Sequence, residues 1–275
     1  MLTRLREHRV AKPWGRTDIP AQFGGRVTDP LGEIWFERER DGSADPLLVK
    51  YLFTSERLSV QVHPDDAAAR SAGHARGKDE AWIVLDAEPA STIGIGVKQP
   101  VSAAELREAA LDGSIAEMLD WRKVRPGDAY YSPAGTIHSI GGGLTLLEVQ
   151  QNCDVTYRLY DFGRPRELHL EESVAAARSD AEVTKAVEQP VTGGRSILVQ
   201  GPKFTVERMR AGTDDLRASE TMPVWLMPLR GRISANGTPL GPASVWIADE
   251  PIMIEVGEAG ELLVAYEGSS LSAAD

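Results

Sequence analysis

The chain has a single cysteine, Cys153, in 275 residues, so it can form no internal disulfide and nothing in it calls for an oxidising compartment. It has no apolar run of the ~18 residues that a membrane-spanning helix needs. Arg4, Arg6 and Arg9 are not followed by an apolar stretch, so the first residues do not read as a signal peptide. Positive charge is also short. Thirty Lys and Arg face 41 Asp and Glu, a formal net charge of -11, which argues against a phosphate-tracking surface for nucleic acid. Histidine is scarce, with five residues and none after His169. The expectation is a cytoplasmic protein with no nucleic-acid or membrane partner and no protein partner indicated, long enough for two modest domains.

The few histidines fall into a pattern. Leu58 to His63 reads as a strand, so Gln61 and His63, two apart, project from one face. Lys78 and Glu80 repeat the spacing. Further on, Gly127 turns the chain, Pro133 and Gly135 shape a tight connection, and His138 starts a strand facing inward. Gln61, His63, Glu80 and His138 together offer two ring nitrogens and two side-chain oxygens. That set suits Zn²⁺, with Mn²⁺, Fe²⁺ or Co²⁺ also accommodated, because geometry and availability decide the metal more than affinity does. His8 in a polar stretch, His74 in an Ala/Gly/Arg loop and His169 ahead of a helix are read as ordinary histidines, and Cys153 is not read as a nucleophile.

The spacing Gly-x5-Pro-x-Gly-x2-His, from Gly127 to His138, matches the second signature of the cupin superfamily. Gln61-x-His63 with the later Glu80 resembles the first signature with its leading His replaced by Gln. The Asn that commonly closes the second signature is absent, and Gly141-Gly142-Gly143 occupies the region as a hairpin turn. The blocks Leu58 to Asp66, Gly77 to Trp82, Pro133 to His138 and Leu147 to Arg164 resemble class I mannose-6-phosphate isomerases in their short bacterial form. The likeness extends to Lys12-Pro-Trp-Gly15, Gly32 to Trp35, Leu47 to Lys50 and Pro165 to His169, about the first 170 residues. It departs at Arg16, where a second Gly is usual, and at Cys153, where a small hydroxyl residue is common. The resemblance implies a mainly β fold of two cupin-like jelly-roll barrels with short helical insertions. Residues 1–183 would form a catalytic metal-binding domain, and residues 184–275 a degenerate cupin-like domain without ligands.

Patterning along the chain agrees with that division. Strands are expected at Pro46 to Phe53, Leu58 to His63, Ala81 to Asp86, Thr92 to Gly96, Ala129 to Pro133, Thr136 to Ile140, Leu144 to Gln151 and Val155 to Tyr160. Ser102-Ala-Ala-Glu105 and Ser114-Ile-Ala-Glu117 both read as capping boxes opening short helices, with Leu106, Leu111, Ile115, Met118 and Leu119 as packing residues. A further helix is expected at Leu170 to Ala177. From about Thr184, with Gly193-Gly194 as an opening turn, six short strand-like runs follow at Ser196 to Gln200, Phe204 to Arg208, Val224 to Leu229, Ser244 to Ile247, Ile252 to Val256 and Glu261 to Tyr266. This His-free half is expected to stabilise the first and to take no part in chemistry.

The reaction implied by the resemblance is the interconversion of mannose 6-phosphate and fructose 6-phosphate, a step of carbohydrate metabolism. Moving a proton between C1 and C2 leaves negative charge on oxygen, which a divalent metal stabilises. Gln61, a weaker donor than a third imidazole, leaves that metal more electrophilic. Glu148, flanked by Leu146, Leu147 and Val149, and Lys78 are the two candidates for carrying the proton. Arg158 suits contact with a sugar oxygen, the enediolate or the phosphate. Lys12, Lys50 and Arg164 are the other cations near the motifs. Two alternatives are a metal-stabilised sugar-binding or regulatory cupin without turnover, and an iron cupin dioxygenase. Gln61 and the Lys78/Arg158 pair speak against the dioxygenase.

Overall fold

The computed structural model describes residues 1–39, 44–180, 183, 185–191 and 194–269. In the strands Leu47–Thr54 and Leu144–Gln151 every residue is buried, so both faces of each must be covered. These two strands lie side by side, with Glu80–Ala87 beyond the second, in a six-stranded antiparallel sheet completed by Arg6–Asp18, Arg26–Glu37 and Ala129–Ser132. Alternation divides the side chains between two cores. Val49, Tyr51, Phe53, Ile83, Leu147 and Val149 enter one, and Leu52, Trp82, Val84, Leu144 and Leu146 enter the other.

The second core is closed by a five-stranded sheet of Tyr157–Tyr160, Val60–Val62, His138–Ile140, Thr92–Val97 and Leu119–Lys123, which contributes Ile93, Ile95 and Ile140. On the outer side of that sheet, Val60, Val62, Ile137 and Leu159 pack against Leu106, Ala109, Ala110 and Ile115 of the helices Ala103–Asp112 and Ile115–Met118.

The first core is closed from the other direction by a nine-stranded sheet. Trp225, Met227, Leu263 and Ala265 face the barrel, while Val224, Leu226, Leu262 and Val264 build a core of their own. Its longest members are Phe204–Leu216 and Ile252–Glu267, and it includes Leu2–Arg4, paired with Trp246–Ala248. The fold is mainly β and cupin-like, with the six-stranded sheet as the wall between the two cores.

Several expectations change. The two runs Ile252 to Val256 and Glu261 to Tyr266 form one strand, and Phe204–Leu216 continues well past Arg208. The long Arg6–Asp18 and Arg26–Glu37 strands were not expected, because their outer stretches are polar and exposed and alternate poorly. Leu111 is not a packing residue, being 71% exposed; it follows Leu106 by five positions, whereas Ala109 and Ala110, three and four on, occupy the buried stripe. Met118 is half-buried. Thr184 and Gly193 lie outside the described residues. Among the described residues no helix is long and apolar enough to cross a membrane.

The two expected capping boxes also part company. Ser102 forms a complete one: Glu105 N donates to its Oγ (3.3 Å), and the Glu105 carboxylate accepts from Ser102 N (2.8 Å). Ser114 makes no capping bond, because its own backbone is already helical, with φ -64° and ψ -16°. Ser102→Ala is therefore expected to lower unfolding stability by about 1 kcal/mol in a denaturant titration, and Ser114→Ala by a few tenths at most. Equal losses would remove the distinction.

Candidate metal centre

The ligand candidates are brought together by strand pairing. Val60–Val62 lies between His138–Ile140 and Tyr157–Tyr160, so Gln61 stands opposite both His138 and Arg158. His63 follows that strand, and its carbonyl accepts from Gly135 N (2.9 Å) in the turn that leads to His138. Glu80 comes from the facing sheet, where it is paired with Gln150 and Ser132. One ligand atom each of His63, Glu80 and His138 falls within 4.8 Å of the others, and all three residues are buried. Glu80 Oε1 lies 3.2 Å from His63 Nε2, and Oε2 lies 3.5 Å from His138 Nε2.

Both rings are oriented from behind. Nδ1 of His63 is 2.9 Å from the Val155 carbonyl, and Nδ1 of His138 is 2.9 Å from the Thr136 carbonyl. A carbonyl only accepts, so each Nδ1 carries the hydrogen and each Nε2 turns a lone pair towards Glu80. Burial, with Lys78 nearby, pulls the His63 pKa down to about 3, and burial lowers that of His138. Both imidazoles are neutral at ordinary pH. Against the penalty of burial, the adjacent Lys78 ammonium favours the ionised form of the Glu80 carboxyl, whose pKa lies below the usual carboxylate range. Three acceptors thus converge. Among the described residues, His63 Nε2 and Glu80 Oε2 have no hydrogen-bond partner. Desolvated lone pairs aimed at one point are costly unless a cation sits there, and this donor set fits a divalent ion.

Gln61 is beside the triad. Its Nε2 is 3.2 Å from His138 Nε2, and its Oε1 accepts from Ser59 Oγ (3.0 Å). A half-turn of the amide exchanges these ends. It brings Oε1 to the triad and lets Nε2 donate to the Ser59 hydroxyl, so a bound cation selects that orientation at little cost.

Of the ligand candidates, Gln61 and Glu80 line an adjoining polar cleft. In a chain of net negative charge, its walls gather Lys12, Lys50, Lys78, Arg158 and Arg166. Lys78 Nζ is 3.2 Å from Glu80 Oε1; burial opposes its charge, yet Glu80, Glu148 and Asp154 together raise its pKa. A row of paired residues crosses the sheet on the cleft side: Trp35, Lys50, Glu148 and Trp82. Lys50 Nζ stands 4.3 Å from the centre of a Trp35 ring and 3.7 Å from Glu148 Oε1. Trp82 Nε1 donates to Glu148 Oε2 (3.1 Å), and its indole lies 5.0 Å from the His138 ring. Burial and the neighbouring Glu80 push the Glu148 pKa up to about 7.

Arg158 reaches the cleft with Nη1 donating to the Glu167 carbonyl (2.7 Å), while its Nε has no partner among the described residues. Arg164 does not line the cleft; its guanidinium is taken up by Asp161 and the Arg57 carbonyl. Glu33, Asp154 and Arg166 do line it, though nothing in their own spacing singled them out. Cys153 is buried and free.

No protein-family model matches the chain. A mannose-6-phosphate isomerase of Streptococcus mutans is 37% identical over 223 residues, which make up 75% of this chain and 70% of that one. The chain belongs to the mannose-6-phosphate isomerase family. ManA of Bacillus subtilis, another member, is 40% identical over 156 residues, 52% of this chain and 49% of its own. The crystal structure of the Bacillus subtilis mannose 6-phosphate isomerase superposes with a TM-score of 0.83 at 26% identity, covering 96% of this chain and 99% of that one. A zinc-bound mannose 6-phosphate isomerase superposes with a TM-score of 0.71 over 97% of this chain and 99% of that one; at 14% identity this is a likeness of fold alone.

Proposed function

We propose that the chain interconverts mannose 6-phosphate and fructose 6-phosphate, with Gln61, His63, Glu80 and His138 holding one Zn²⁺ and residues 1–183 forming the catalytic part. The observation that carries this reading is the convergence of two neutral imidazoles and an ionised carboxylate on one buried point beside a cation-lined cleft. Bound there, zinc supplies Lewis-acid stabilisation of the charge that develops on the substrate oxygens.

The residues around it divide the remaining work. Glu148, whose pKa is raised to about 7, exchanges a proton near neutral pH and is the proposed carrier between C1 and C2. Lys78, ion-paired with Glu80, places a positive charge next to the reacting oxygens. Arg158, with Arg166 beside it sharing Asp161 with Arg164, adds the local positive charge an anionic sugar phosphate requires. A coupled assay on fructose 6-phosphate, run with metal analysis of the same sample, tests the whole reading. Zinc and sugar-phosphate binding without turnover would make the protein a binding cupin instead.

Arg158→Lys is not a conservative change here, because a planar guanidinium contacts two oxygens at once and an ammonium does not. A charge-assisted bond is worth about 1.5–3 kcal/mol, so kcat/KM is expected to fall on the order of 10- to 100-fold with zinc content unchanged. Wild-type kinetics would remove Arg158 from the site.

A further inference from the structure

Asp66, at the start of the helix Asp66–Ser71, links the C-terminal sheet to the segment that carries Lys78 and Glu80. Lys203 Nζ, from the turn before Phe204–Leu216, lies 2.6 Å from Asp66 Oδ2. The other oxygen, Oδ1, accepts from Gly77 N (2.8 Å) and from Gln151 Nε2 (3.0 Å). Gln151 Oε1 accepts in turn from Asp79 N (3.0 Å), and Gln151 N donates to the Asp79 carbonyl (3.0 Å). Between them, Lys78 N donates to the Pro64 carbonyl (3.1 Å). Residues 77–79 belong to no helix or strand, yet all three of their amides are satisfied from outside the segment. Gly77 sits so close to its support that a Cβ there would lie 2.6 Å from the Asp65 and Asp66 backbone.

The same C-terminal turn holds the segment a second way. The Asp79 carboxylate accepts from Tyr131 OH (2.6 Å) and from Ala134 N (3.0 Å), in the connection leading to His138. Gly201 lies against the Tyr131 ring, where a Cβ would fall 1.9 Å from Cζ. The turn of Gly201 and Lys203 therefore bears on both carboxylates that fix the segment, Asp66 directly and Asp79 through Tyr131.

We propose that Lys203 is a positioning residue for the metal centre: through Asp66 it holds the Gly77–Glu80 segment so that Lys78 and Glu80 meet His63 and His138 in working geometry. The inference rests on the ligand assignment above. It gives the His-free half a share in the site without any contact with metal or substrate. An ion pair as exposed as this one, with Lys203 at 36% and Asp66 at 23%, adds little to global stability. Its consequence is geometric, since Asp66 also carries the two donors that set the loop.

The test is Lys203→Met, assayed for zinc affinity by chelator competition and for isomerase kinetics. Support beyond the ligands themselves typically changes affinity or activity by 10- to 100-fold, so a roughly tenfold weaker zinc Kd and a roughly tenfold lower kcat are expected. KM and the Tm of the metal-free protein should stay close to wild type, the latter within about 2 °C. Lys203→Arg should restore both losses. Asp66→Asn should do at least as much damage as Lys203→Met, and the double variant should be no worse than Asp66→Asn alone. Zinc affinity and kcat within twofold of wild type in Lys203→Met, or losses that simply add in the double variant, would overturn the proposal. Lys203→Gln serves the same comparison if the methionine variant does not fold. Zinc affinity is read without turnover, so a wild-type protein that binds zinc but leaves fructose 6-phosphate unchanged would refute the isomerase reading and still leave the affinity comparison to decide the role of Lys203.

Discussion

His138→Ala should cost the protein its divalent ion and, with it, its isomerase turnover. The ring supplies one of the two neutral nitrogens aimed at Glu80, and its Nδ1 is already committed to the Thr136 carbonyl, so no other atom nearby replaces Nε2. Lewis-acid stabilisation worth several kcal/mol corresponds to a fall of about 10³ or more in kcat. A second readout is independent of activity. Zinc at about a hundred times its Kd should stabilise the wild-type fold by about 2.7 kcal/mol, and the accompanying rise in Tm should vanish in the variant. Full zinc occupancy of His138→Ala under chelator challenge would show that the ligand set is wrong.

The centre was legible in the sequence to the extent that it depends on strand spacing. Gln61 and His63, two apart, share a face wherever the strand lies, and Pro133 with Gly135 announces the turn that delivers His138. The apolar neighbours Leu146, Leu147 and Val149 likewise made burial of Glu148 readable, and its raised pKa follows from that burial. Legibility ended where strand partners had to be known. Lys50 faces Glu148 only because Leu47–Thr54 lies beside Leu144–Gln151, nearly a hundred residues later in the chain, and no local pattern specifies that register. Glu33 and Asp154 enter the cleft, and Lys203 reaches Asp66, by the same kind of long-range pairing. Ser114 failed for a more local reason: a capping box needs an extended backbone at its hydroxyl residue, and there the chain has already turned helical. The core shared by Val49, Tyr51 and Leu147 with Trp225 and Leu263 was not readable either, because it joins strands far apart in the chain.

Glu148→Gln should abolish proton transfer while leaving binding intact, because the amide keeps the shape of the carboxylate and its acceptor for Trp82 Nε1 but has no ionisable proton. Loss of a positioned acid/base group is expected to lower kcat by about 10²–10⁴, with zinc content and substrate affinity near wild type. Exchange of the substrate C2 proton with solvent, followed by deuterium uptake, should collapse in parallel. The pH dependence gives the sign of the role. A base must be ionised, and burial with the neighbouring Glu80 charge raises the Glu148 pKa to about 7, so wild-type kcat/KM should fall as pH drops through that region. A bound dication draws the same pKa down, placing the acid limb at or below about 7, and that limb should be missing from whatever activity Glu148→Gln retains. Lys78 is the competing carrier. If Glu148→Gln keeps turnover and deuterium exchange while Lys78→Met loses both with zinc still bound, the proton belongs to Lys78, and Glu148 acts by holding Lys50 and Trp82 along the cleft wall.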